Sequence, residues 1–265
     1  MSTNSPPLQL SANVEWLFAE AGDDTAARAA AAAAAGLTGI EIWGWKDKDT
    51  VDLARVCKET GLHLVSMIVD PQLQITDRDN LRSFLVAVEE AATIAANLEC
   101  SNLVVVAGDD TGQEADRQYD NVRAALSAGA DILKGTGTRL LLEPLNSNVH
   151  YHSSSYLTST ATGLDLVRDV ASDALRLLFD VYHSAMMDES PLQAIEGSLS
   201  WIGHVQVADI PERSEPGTGN LDWNALLKGI IASGYEGYIG LEYQPTTSTT
   251  ESLLHIQKIL SSALA

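Results

Sequence analysis

The chain has 265 residues, 45% of them hydrophobic and 20% charged, an ordinary globular composition with ample material for one large core. Its 36 acidic against 16 basic residues give a formal net charge of −20, which opposes binding to a phosphate backbone and excludes nucleic acid as a natural partner. No stretch is long and apolar enough to span a bilayer, and the polar start Met1-Ser2-Thr3-Asn4-Ser5-Pro6-Pro7 has no apolar signal core, so a soluble, cytoplasmic protein is expected.

Short apolar runs alternate with longer helix-like segments from end to end, a pattern of βα units around a parallel sheet. Strands are expected at 8–14, 39–43, 63–69, 102–107, 139–145, 175–181, 203–208 and 238–243, rich enough in Val, Ile and Leu to be buried on both faces. Helices are expected at 26–35, 51–60, 77–97, 114–133, 161–170, 192–198, 223–233 and 249–260. Asp23-Asp24-Thr25 supplies N-terminal signals for the first, and Gly36, Gly61, Gly135 and Gly234 stand where helices should stop. Eight pairs in this length favour a single α/β (β/α)₈ TIM barrel over residues 1–265, with 1–7 expected to be flexible. No Gly-x-Gly-x-x-Gly or Walker loop marks an open nucleotide-binding sheet. Cys57 and Cys100 are far apart and form no Cys-x-x-Cys pair, in keeping with a reduced compartment.

Four strand-like segments of the second half end in an oxygen ligand: Glu143, Asp180, Gln206 and Glu242. A polar group directly after branched apolar residues is costly inside a core, yet it is where a barrel places its catalytic rim. Three carboxylates and an amide oxygen are hard ligands suited to Mg²⁺, Mn²⁺ or Co²⁺. Without a cation their repulsion should make at least one take up a proton near neutral pH. The alternative is a set of rim acids salt-bridged to Lys or Arg, of which few lie near these strand ends.

His183, three residues after Asp180, falls at the same rim and could donate a hydrogen bond to a substrate oxygen. His204 should point the same way as Gln206 but deeper. Arg213, in the polar loop after the seventh strand, is the candidate for binding a substrate carboxylate or terminal hydroxyl, the alternative being a surface pair with Glu212 or Glu215. Asn13, Trp16, Phe18, Glu41, Trp43 and Trp45 offer walls on the opposite half of the rim.

The segments Leu142-Glu143-Pro144-Leu145-Asn146, Phe179-Asp180-Val181-Tyr182-His183, Gly203-His204-Val205-Gln206-Val207-Ala208-Asp209, Glu215-Pro216-Gly217-Thr218-Gly219 and Gly240-Leu241-Glu242-Tyr243 resemble the hydroxypyruvate isomerase family of the xylose isomerase-like TIM barrels. The resemblance implies a divalent metal on Glu143, Asp180, Gln206 and Glu242, with Glu143 and Glu242 also acting as proton acceptor and donor. The implied reaction interconverts hydroxypyruvate and tartronate semialdehyde, or a similar small hydroxy-keto acid or ketose, through an enediolate. A ketose 3-epimerase is the alternative within the fold, and a non-catalytic sugar-binding barrel lies outside enzymes altogether. Ser214 stands where the family commonly has histidine, and the stretch 70–79 looks shorter than the family's loop; both are expected to meet the distal end of the substrate. A homo-oligomer is compatible with such a barrel.

Overall fold

Residues 8–264 are described by the structure, a computed structural model, so the expectation for 1–7 lies outside the described residues. Eight parallel strands close on themselves in sequence order: β1 (Gln9–Asn13), β2 (Gly39–Glu41), β3 (His63–Ile68), β4 (Asn102–Val106), β5 (Arg139–Glu143), β6 (Leu175–Asp180), β7 (Ile202–Val207) and β8 (Tyr238–Leu241), with β8 pairing back onto β1. Around them run α1 (Thr25–Ala34), α2 (Thr50–Thr60), α3 (Leu81–Leu98), α4 (Ala115–Leu133), α5 (Thr160–Val170), α6 (Val181–Met186), α7 (Pro191–Ala194), α8 (Trp223–Ala232) and α9 (Thr249–Leu264). No helix among the described residues is long and apolar enough to cross a membrane.

The local chemistry explains the element ends. Asp24 caps α1 by accepting from the amides of Ala26 and Ala27, and the alanine run buries Ala26, Ala29 and Ala32, whose small side chains let the helix lie close on the barrel. Gly61 ends α2 at φ 74, a left-handed turn that a β-carbon would strain.

Several expected boundaries move, three of them for reasons that local chemistry makes plain. The third helix begins at Leu81 after a 3₁₀ turn at Arg78–Asn80 that Asp77 caps. The helix expected at 192–198 is only α7, because Gly197 turns the chain at φ 68 and a 3₁₀ turn, Leu199–Trp201, leads into β7. The sixth strand stops at Asp180, whose carboxylate accepts from the Tyr182 amide and thereby starts α6, a helix too short for hydrophobic periodicity to announce.

Two separate packings stabilise the barrel. A large apolar layer lies between strands and helices, including Leu140, Leu142, Leu177, Phe179, Val205 and Leu241. A small second cluster, Val104, Leu141 and Leu178 with Ile68 against it, comes from the opposite strand parity and fills the barrel interior on the side of β3 to β6. On the side of β7, β8, β1 and β2 the same parity carries Ser11, Glu41, His204, Gln206 and Gly240, so the interior there is polar. Register places Gln206 between Asp180 on β6 and Gly240 on β8, and pairs Val106 with Glu143.

Candidate active site

A cavity of about 770 Å³ opens at the C-terminal ends of the strands. Its walls include Asn13, Trp16, Trp43, Glu143, His183, Gln206, Arg213 and Glu242, so most of the residues singled out in the sequence share one space. Asp180 is buried at its edge, with Oδ2 3.3 Å from Arg213 Nη2 and 3.6 Å from His183 Nε2. His204 lies below, within the barrel.

Of the three strand-end carboxylates, Glu242 is the most firmly held by side chains. Asn13 Nδ2 and Trp43 Nε1 each donate to its Oε1 at 2.8 Å, and Arg213 Nη2 donates to Oε2 at 2.9 Å. Burial nevertheless pushes it up to about 7, Arg213 pulling against that and Asp180 adding to it. Glu143 differs: it accepts no hydrogen bond from the described residues, and burial, then the charges of Glu242 and Asp180, hold it well above the usual carboxylate range. Asp180 is also raised by burial, opposed by Arg213 and the Tyr182 amide.

Arg213 is 9% exposed and is not a surface arginine. Its guanidinium lies between the rings of Trp16 and Tyr182, 4.9 and 4.8 Å from their centroids, and bridges Asp180 and Glu242. The loop that delivers it is built on Asp209, whose carboxylate accepts from the amides of Gly217 and Gly219 and from Trp223 Nε1. Gly219 is required there, since a β-carbon would fall 2.2 Å from the Ile210 carbonyl oxygen. Glu215, the other candidate partner of Arg213, instead accepts from the amide and hydroxyl of Thr246.

His183 presents a fixed tautomer. The Asn146 amide donates to its Nδ1 at 2.9 Å, so the ring proton sits on Nε2, and burial together with Arg213 keeps the imidazole neutral. Nε2 is 3.6 Å from Asp180 and 3.8 Å from Glu143, beyond hydrogen-bond reach, which leaves its N–H to donate to a third oxygen.

Glu143, Asp180 and His183 offer three ligand atoms within 4.8 Å of one another. With its proton on Nε2 the imidazole cannot be a ligand without losing that proton, so the carboxylates carry the fit. Gln206 strengthens it: Nε2 donates to Glu41 Oε2 at 2.8 Å, while Oε1 is buried with no partner among the described residues. An orphaned amide oxygen beside clustered buried carboxylates suits a hard divalent cation.

Residues 29–259 match the family described as xylose isomerase-like TIM barrel. The chain belongs to that family. It is 31% identical over 259 residues to the hydroxypyruvate isomerase of Escherichia coli (strain K12), covering 93% of this chain and 97% of that one. A putative hydroxypyruvate isomerase of Homo sapiens is 32% identical over 264 residues and 93% of each chain is covered. Among solved structures, an AP endonuclease, family 2, from Brucella melitensis superposes with a TM-score of 0.88 at 26% identity, over 95% of this chain and 98% of that one. With relatives so named over nearly its full length, the chain is an isomerase of this barrel family.

Several site residues have no obvious sequence signal. Asn146, which sets the His183 tautomer, lies in a quoted motif but looks like a loop residue. Gln244, His152, Ser155 and Asp109 complete the cavity wall. Of the two places expected to meet a distal substrate end, the stretch 70–79 contributes Asp70, Pro71 and Gln72 to that wall. Ser214 does not join it: it is buried and its hydroxyl is 2.7 Å from Thr218 Oγ1.

Beneath Gln206, Glu41 is 0% exposed and accepts from Ser11 Oγ (2.6 Å), Ser66 Oγ (2.9 Å), Gln206 Nε2 (2.8 Å) and, at 3.0 Å, His204 Nε2. Burial alone would raise it, but His204 and the hydrogen bonds from Ser11 and Gln206 bring it down to about 2. Rather than forming a pocket wall, Glu41 is an ionised floor. Gly240 makes room for it, because a β-carbon would lie 2.2 Å from Glu41 Oε1 and 2.8 Å from His204 Nε2. Gly240→Ala should therefore destabilise the barrel by about 1–3 kcal/mol through overpacking, read as a lower urea midpoint.

Proposed function

We propose that this protein is a divalent-metal-dependent isomerase interconverting hydroxypyruvate and tartronate semialdehyde, or a similar small hydroxy-keto acid or ketose, by proton transfer between adjacent carbons. The observation that carries the reading is the pair Glu143 and Glu242, two buried carboxyls raised toward neutrality on one cavity wall. A cation held by Glu143, Asp180, Gln206 and Glu242 would supply charge stabilisation for the oxyanions of an enediolate.

Glu143, which accepts no hydrogen bond from the described residues, takes the proton from the hydroxymethyl carbon as the carbon–carbon double bond forms and the carbonyl π-electrons move onto oxygen. It then returns the proton to the former carbonyl carbon, while the terminal hydroxyl loses its proton and becomes the aldehyde carbonyl. The former carbonyl oxygen gains a proton, so atoms balance. Glu242, anchored by Asn13, Trp43 and Arg213, serves as the acceptor for substrate presented from its side. The neutral His183 donates from Nε2 to a substrate oxygen and thereby orients it.

The cavity is larger than a three-carbon acid needs, which favours one second reading, epimerisation of a ketose with the two glutamates on opposite faces of one carbon. Incubation of the Mn²⁺-loaded protein with hydroxypyruvate and a ketose panel in deuterated water separates these readings. A moved carbonyl supports isomerisation, with deuterium at the adjacent carbon to the extent that the Glu143 proton exchanges before its return; inverted stereochemistry with the carbonyl in place supports epimerisation; and a substrate panel that shows no moved carbonyl, no inversion and no carbon-bound exchange rejects both.

A further inference from the structure

We infer that Glu41 is a positioning residue that fixes which atom of Gln206 faces the cavity, its carboxylate holding the amide nitrogen down so that Oε1 points to the ligand cluster. This rests on the proposal that the rim carboxylates and Gln206 form a divalent-cation site.

A terminal amide is nearly symmetric in shape, and nothing in its own packing distinguishes oxygen from nitrogen. Glu41 breaks that symmetry because a carboxylate only accepts, so the Gln206 group 2.8 Å from Oε2 must be the nitrogen. Ser11, Ser66 and His204 hold the carboxylate from three other strands, β1, β3 and β7, so it cannot swing away. Gly240, with no β-carbon, lets Glu41 Oε1 and the Gln206 side chain occupy the same level of the barrel. The consequence is the orphaned oxygen described above, Gln206 Oε1, on a residue that lines the same cavity as Glu143 and Glu242. Turned over, the amide would present two N–H donors, which repel a cation.

Three variants test this, with a readout that needs no metal. In the metal-free wild type, nitrogen-edited proton NMR should show one Gln206 side-chain amide proton shifted downfield and slow to exchange, since it is bonded to a buried carboxylate; a fast-exchanging, unshifted Gln206 amide would overturn the inference. Glu41→Gln, nearly isosteric, should lose that protection and weaken Mn²⁺ binding about 10–100-fold by calorimetry. Gln206→Glu alone sets two carboxylates face to face and should bind Mn²⁺ poorly or unfold. The double variant Glu41→Gln/Gln206→Glu restores one donor and one acceptor across the contact, with an oxygen again facing the cavity, and should recover Mn²⁺ affinity to within a few-fold of wild type. Wild-type affinity in Glu41→Gln, or a folded double variant that stays as weak as Glu41→Gln, rejects the positioning role. A protected Gln206 amide in a wild type that binds no Mn²⁺ would instead reject the cation site and leave the orientation by Glu41 standing.

Discussion

Glu143→Gln should remove turnover and at the same time make the metal-free barrel more stable at neutral pH. The two effects share a cause. Glu143 is buried beside Glu242 and Asp180 and accepts no hydrogen bond from the described residues, so its charged form is unfavourable until substrate or a cation is present. Because its folded pKa lies above the unfolded value, its contribution to stability is fully present below about pH 4 and is lost as pH rises through the folded value. Glutamine has no proton to lose. Urea unfolding in chelator should therefore give similar midpoints for wild type and variant near pH 5 and a higher midpoint for the variant near pH 8. Loss of a carboxylate that accepts a carbon-bound proton should reduce kcat by about 10²–10⁴. A variant with kcat within tenfold of wild type would remove Glu143 from the proton transfer, and one less stable than wild type near pH 8 would contradict the charge balance described above.

The barrel and half its rim were legible because strand-end residues break a strong local rule. Glu143, Asp180, Gln206 and Glu242 each follow an apolar run, and an ionisable or amide group there needs a reason that the barrel's active rim supplies. Element boundaries failed where local chemistry overrode periodicity: Asp180 is both the last strand residue and the cap of α6, and Gly197 interrupts what otherwise reads as a continuous helix. The polar half of the barrel interior was harder to see. Ser11, Glu41, Ser66 and His204 lie on four strands separated by 20 or more positions, and only the closed strand order brings them to one point. Glu41 reads in sequence as another rim acid, and the layer it occupies is set by barrel stagger rather than by the chain around it.

Proximity in sequence put Arg213 near the cavity that it lines but did not reveal its surroundings, since no pattern in the loop indicates that the chain reverses at φ 55 to drive the side chain inward against Trp16 and Tyr182. That inward position makes Arg213→Met the second informative substitution. With the guanidinium gone, Asp180, Glu242 and Glu143 lose the positive charge that favours their ionised forms. Their folded pKa values then rise further. A cation that lowers carboxyl pKa values contributes stability that is present at high pH and lost as those carboxyls take up protons, so the penalty of removing it must grow with pH. Breaking a buried ion pair of this kind typically costs about 3–5 kcal/mol, expected here near pH 8 in chelator, with a smaller loss near pH 5, where more of these raised carboxyls hold protons. Free Mn²⁺ at about 100 times the variant's Kd should return about 2.7 kcal/mol to the variant and less to wild type at the same concentration, because in wild type the guanidinium already occupies the carboxylates that the ion would neutralise. An equal penalty at both pH values would mean that Arg213 contributes packing only. A penalty that Mn²⁺ leaves unchanged near pH 8 would mean that the three carboxylates do not share one cation, whereas a pH-dependent penalty relieved by Mn²⁺ would make Arg213 the internal counter-charge that keeps the acidic rim folded before the metal arrives.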